Sequence, residues 1–158
     1  MATDREKIDM VRHAFAAEPC PEHFTDHRHC CECAEHDALL ASRDLDSLRL
    51  EDVNNAGWDP ICFVTAEGFR HYLPALVRLA FESVTSEYWY LPQLLFHLTG
   101  DGPQNRRVMC CTAAQQRAIA AVLWHVVQTR PELVVRYGIA DDLQRALEIW
   151  SAPAPEPP

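Results

Sequence analysis

Residues Ala118 to Val127 include one polar side chain, His125. Thr112, followed three residues later by Gln115, makes a capping-box pattern, so a helix is predicted to start at 113 and run through this stretch. A helix that is apolar nearly all round cannot lie on a surface, which predicts that it forms the centre of the fold. His125 is then read as a satisfied core histidine. Whatever else the chain forms must pack around this rod.

The remaining elements follow from the same periodicity. Asp4 to about Ala17 reads as a helix with Ile8, Val11 and Phe15 on one stripe. Pro19 and Pro21 end it, since each lacks an amide donor and restricts the residue before it. A second helix is predicted from near Cys31 to about Ser42, with Leu39 and Leu40 facing inward. Ile61 to Val64 is apolar throughout and reads as a short buried extended segment. Thr65 caps a strong helix. Its apolar face is Phe69, Tyr72, Leu73, Leu76, Val77 and Ala80, and its polar face carries Glu67, His71, Pro74, Arg78 and Glu82. Tyr88 to Leu98 forms another helix, with Pro92 in its first turn. A loop follows over 99–107. Pro131 opens a short helix that Gly138 closes, and Asp141 to Trp150 forms the last. No strand finds a partner. The predicted fold is therefore mainly α, a compact bundle of six to eight helices in one domain over 1–150. A proline-rich tail occupies 151–158.

Composition narrows the function. At 48% apolar, the 158 residues can fill a real core. No run reaches 18 apolar residues, so no transmembrane helix is expected, and without an apolar leader the chain is expected in the cytoplasm. The net charge of −9 is uneven. Residues 1–60 carry 14 acidic and 6 basic side chains, against 9 and 8 over 61–158. Such a front half repels phosphate, which excludes nucleic acid as a partner and favours a cation or a basic protein surface. Lys7 is the only lysine, which argues against Schiff-base chemistry.

Four of the seven cysteines and four of the eight histidines fall within residues 20–36. His27, Cys30, Cys33 and His36 stand at equal steps of three, and two intervening residues is a common metal-ligand spacing. Steps of three drift by about 60° on an α-helix. A shared ion, zinc by donor type, therefore needs a turn carrying His27 and Cys30 that leads into a helix carrying Cys33 and His36. Cys20, His29 and Cys31 are the substitutes should the loop fold otherwise. The same residues admit a redox dithiol, Cys30-x-x-Cys33, at a helix N-terminus. Covalent haem attachment is excluded by Ala34, which stands where that motif needs histidine. Cys110 and Cys111 precede the Thr112 cap and read as a packed turn. Cys62 reads as a buried small residue, and His71 with Glu67 as a solvated pair, a bland reading extended to His97. No nucleophile motif, phosphate-binding glycine loop or His-Glu-x-x-His is present.

The run Phe69-Arg70-His71-Tyr72-Leu73-Pro74-Ala75 resembles the Phe-Arg-aromatic-Tyr-Leu-Pro-Ala signature of a family of uncharacterised bacterial proteins. An apolar run like Ile61 to Val64 precedes it, and a Thr-x-x-Gln helix start like Thr112 to Gln115 follows. Histidine replaces the aromatic at 71. The resemblance spans about residues 36–128 and implies a small, helical, soluble bacterial protein with no catalytic residue to carry over. The Cys/His stretch lies largely outside it and reads as an attachment to that core. The expected function is a non-enzymatic binding, adaptor or immunity-like module with a structural zinc and a basic partner. The alternative is a thiol-redox or metal-handling enzyme using Cys30 and Cys33.

Overall fold

A computed structural model describes residues 1–152. Among these are nine α-helices: α1 Asp4–Ala14, α2 Cys31–Ala41, α3 Leu50–Val53, α4 Ala66–Glu82, α5 Leu91–Thr99, α6 Arg106–Met109, α7 Ala113–Thr129, α8 Pro131–Arg136 and α9 Ala140–Trp150. The described residues contain no strand, only an isolated antiparallel bridge between Thr25 and Val64. No described helix is long and apolar enough to cross a membrane. The expected proline-rich tail lies, from 153 onward, outside the described residues.

Helix ends follow their caps. Thr3 and Glu6 close a reciprocal capping box on α1, and Thr112 and Gln115 do the same on α7. Together these satisfy two orphan amides at each start. α7 packs against α1 and α9, and α9 also lies on α5, where the Trp150 indole donates to the Leu98 carbonyl at 3.0 Å. His125 is buried as expected and bonds Asp4 Oδ1 at 2.8 Å, which ties the start of α1 to α7.

The centre, however, is α4 rather than α7. α4 buries eleven of its seventeen residues, whereas α7 buries nine and leaves Trp124 53% exposed. α7 owes much of its apolar character to Ala113, Ala114, Ala118, Ala120 and Ala121, which bring little area to bury. Pro74, assigned by periodicity to the solvent face of α4, is buried too. The polar side chains of α4 do not mark a wet face because several hold backbone. Tyr72 donates to the carbonyls of Leu40 at 2.5 Å and Arg43 at 2.9 Å. Arg78 donates to those of Leu45 at 3.0 Å and Leu48 at 2.7 Å. The predicted extended segment is instead a 3-10 turn over Pro60–Phe63, and only Val64 is extended, where it bridges to Thr25. Asp59 explains the turn, since its carboxylate accepts the Ile61 amide at 2.9 Å.

Candidate metal centre

The loop between α1 and α2 is pinned at its middle. Phe24 is 3% exposed and packs on the Tyr72 ring, with centroids 5.2 Å apart. Burying a side chain of this size contributes roughly 1.5–3 kcal/mol. Asp37 on α2 reaches back to accept the amides of Phe24 at 2.6 Å and Thr25 at 3.1 Å. The Thr25 hydroxyl donates to the Cys33 carbonyl at 2.7 Å. The Thr65 amide donates to the Phe24 carbonyl at 2.8 Å, and that carbonyl lies where a Cβ on Gly68 would approach to 2.9 Å. Glycine at 68 is what lets the loop lie directly on α4.

α2 begins where the loop delivers Cys30. This residue is the N-cap, in extended backbone conformation, and its sulfur accepts the Cys33 amide at 3.4 Å. The Cys30 and Cys33 sulfurs lie 3.4 Å apart, and His29 Nδ1 is 3.8 Å from the Cys33 sulfur. A zinc ion at about 2.3 Å from sulfur and about 2.0–2.1 Å from nitrogen would set tetrahedral edges of about 3.8 Å between sulfurs and about 3.6 Å from sulfur to nitrogen. The observed separations fall on either side of these values. His29, Cys30 and Cys33 thus present three donors at close to the spacing of one coordination shell.

The electrostatics of the two thiols diverge. The Cys33 amide, then the side chains of His29 and Cys33, bring Cys30 down from the ordinary 9.0 to about 7. Cys33 is pushed up by its hydrogen bond to Cys30 and by burial, and His29 is raised by its contact with the Cys30 sulfur. Cys30 is exposed and Cys33 buried, so the acidic thiol is also the accessible one.

Of the four ligands expected from spacing, Cys30 and Cys33 converge while His27 and His36 lie elsewhere. His27 stacks on His23 with centroids 3.6 Å apart, in a group with Asp37, whose Oδ2 bonds His23 Nδ1 at 2.8 Å. His36 is 1% exposed and sits between Trp58 and Phe63, each with its ring centroid 4.7 Å away. Glu32 Oε1 approaches its Nε2 to 3.5 Å, and neither ring nitrogen has a hydrogen-bond partner. The reason lies in the helix start. With α2 beginning at Cys31, residues 29, 30 and 33 gather around its first turn, while His36 falls a turn deeper on the inward stripe with Leu40. Of the substitutes, His29 joins the group, whereas Cys20 and Cys31 are exposed and outside it.

Two other readings change. Cys62 is exposed rather than buried, and His97 is 3% exposed, bonding Asp59 Oδ2 through Nε2 at 2.6 Å. Asp59, Cys62 and His97 form a third group of close donors. With Asp59 and His97 standing 38 positions apart, no local pattern in the sequence links them. Cys111 keeps the packed-turn reading. Its sulfur lies 3.1 Å from the Arg107 carbonyl, and burial pushes its thiol up to about 12.

No curated protein and no solved structure matches the chain. A family model does match, over residues 5–152, well beyond the 36–128 expected from the motif, and it takes in the Cys/His loop. The loop is accordingly part of the family's domain and not an attachment to it. The chain belongs to the family described as a family of unknown function (DUF6714).

Proposed function

We propose that this protein binds one zinc ion through Cys30, Cys33 and His29, and that its acidic N-terminal half receives a basic protein partner. The observation that carries the metal reading is the pair of donor separations, 3.4 Å between sulfurs and 3.8 Å from sulfur to imidazole nitrogen. Binding must deprotonate both thiols. With Cys30 at about 7, the protons to be displaced at neutral pH are that of Cys33 and that of His29, whose imidazolium the Cys30 sulfur favours. The partner reading rests on charge: Glu22, Asp26 and Glu35 stand exposed around the loop, within the half that carries 14 acidic side chains.

Closed structural zinc sites use four protein ligands, whereas a three-ligand site keeps a vertex for water or an incoming donor. The fourth vertex here goes to water, to a donor from the partner, or to His27 after a change in the loop. His36 would first have to leave its aromatic pocket. Phe24, Thr25 and Asp37 already hold the loop, so the ion adds stability to this region without being a condition for folding. The module is a non-enzymatic adaptor or immunity-type protein in this reading.

A second reading is favoured by one observation. An exposed, acidified Cys30 at a helix N-cap, 3.4 Å from a buried, less acidic Cys33, is also the arrangement of a dithiol that exchanges disulfides. Metal analysis of the purified protein, with melting followed before and after chelation, decides between the two. The zinc reading expects one ion per chain, a lower melting temperature on chelation and recovery on adding zinc. It also expects loss of metal in Cys30→Ser and Cys33→Ser. Metal-free protein whose Cys30 and Cys33 cycle between dithiol and disulfide would replace it with the second reading.

A further inference from the structure

We propose a second site, independent of the metal centre, that binds a small carboxylate on Arg107 and Asn105. The Arg107 guanidinium lies over the Phe69 ring at 4.4 Å, donates to the Ile61 carbonyl at 2.6 Å and approaches His97 Nδ1 to 3.3 Å. All three contacts are to neutral groups, and among the described residues no carboxylate comes within ion-pair distance of it. Burial disfavours its charged form. Asp59 does not discharge it directly. Its Oδ1 accepts the Ile61 amide at 2.9 Å and its Oδ2 takes His97 Nε2 at 2.6 Å, so it favours the Arg107 charge through space without contacting the guanidinium, and burial outweighs it. The ring donates to Asp59 from Nε2 and accepts from Arg107 at Nδ1. A half-satisfied, largely desolvated guanidinium is a standing demand for an anion.

Asn105 supplies the second observation. It is 3% exposed, its Oδ1 accepts the Arg107 amide at 2.9 Å, and its Nδ2 has no partner. Buried amide donors are rarely left this way. Both residues line a cleft of about 230 Å³ walled by Cys62, Phe96 and His97. That is below the ~300–1,000 Å³ of pockets for drug-sized ligands, so the occupant is small. A guanidinium at the wall of the cleft, with an unpartnered amide donor just beneath its surface, suits the two oxygens of a carboxylate once the Asn105 side chain turns outward. Asp101 at the rim, and Glu67 beyond Asn105 in the adjoining cleft, are both exposed and select a singly charged anion over a dianionic phosphate. A metal ion is disfavoured here, despite the close donors of Asp59, Cys62 and His97, because Arg107 already stands against the remaining imidazole nitrogen.

The test uses the full chain and sodium propionate, with sodium chloride and inorganic phosphate at matched ionic strength. Peptide-resolved alkylation reads Cys62, with exposed Cys110 as the internal control. Propionate should slow alkylation of Cys62 saturably, leave Cys110 unchanged and raise the melting temperature. Asn105→Asp keeps the oxygen that accepts the Arg107 amide but replaces the free donor with a carboxylate. It should melt higher than the parent in chloride and weaken propionate protection about tenfold or more. Absence of any propionate effect beyond that of chloride overturns the site, as does full protection in Asn105→Asp. Stronger protection by phosphate than by propionate overturns the carboxylate assignment.

Discussion

Replacing Gly68 with alanine sets two opposed effects against each other on α4. Gly68 lies in the first turn of a seventeen-residue helix, and its backbone φ is not in the left-handed region. Helix propensity alone therefore predicts that alanine stabilises by up to about 1 kcal/mol. The new Cβ would stand 2.9 Å from the Phe24 carbonyl oxygen and 3.3 Å from the Phe24 Cα. Ordinary contact begins at 3.4 Å, so the backbone must retreat by about 0.5 Å. The obstacle is a main-chain carbonyl that already accepts the Thr65 amide at 2.8 Å, not the free end of a flexible side chain. Its residue is 3% exposed and is held by Asp37. Overpacking of this kind typically costs about 1–3 kcal/mol. Subtracting the propensity gain leaves a net loss of about 1 kcal/mol, equivalent to about 2–4 °C for a chain of this length. Thermal and urea unfolding measure the total, and alkylation of the buried Cys33 should quicken as the loop lifts from α4. Gly100→Ala, whose Cβ would meet nothing nearer than 3.6 Å, is the control and should leave Cys33 unchanged. A Gly68→Ala protein more stable than the parent by about 1 kcal/mol, with Cys33 no more reactive, would refute the close approach.

Three other outcomes follow from the site and its surroundings. His29→Ala should weaken zinc binding by more than the roughly 10–100-fold typical of outer partners, whereas His36→Ala should leave zinc affinity unchanged; competition titration with a chromogenic chelator reads both. The alkylation rate of Cys30 should rise with pH through a midpoint near 7, and a midpoint near the ordinary 9.0 would show that the Cys33 amide does not reach its sulfur. Asp4, Glu18, Asp37 and Asp52 are each raised by burial but lowered further by hydrogen bonds, from Arg130 and His125, Gln115 and Arg70, His23 and the loop amides, and Arg43 respectively. A depressed folded pKa stabilises above the unfolded value and is lost as pH falls through the folded one. The melting temperature should thus hold above the free values of 3.8 for aspartate and 4.5 for glutamate and fall below them, less steeply in Asp4→Asn than in the parent.

Helix positions were legible because caps and apolar stripes are local: Thr65 and Thr112 stand where the chain turns into helix. Which helix is enclosed was not, because that depends on what the other elements cover. Pro74 and Trp124 show this from both sides, one buried against its pattern and the other exposed against it. At the candidate metal centre, the closeness of Cys30 and Cys33 could be read because both belong to one helical turn. His29 lies with them while His27 stacks on His23 and His36 sits a turn deeper, an arrangement set by the path of the loop before α2, which spacing alone does not decide. The group of Asp59, His97 and Arg107 had no sequence signal, since three separate elements bring its members together.

The ties that α4 makes to the front half of the chain bear on how freely that half can change. Tyr72 and Arg78 bind the carbonyls of residues 40, 43, 45 and 48, and the Thr65 amide binds that of residue 24. Every amino acid supplies a carbonyl, so the anchor is indifferent to which side chain stands at its far end. Substitutions that reshape the exposed acidic surface over residues 40–48 should therefore be tolerated far better than changes at Tyr72 or Arg78. A protein attached in this way can revise its outward face without renegotiating its fold.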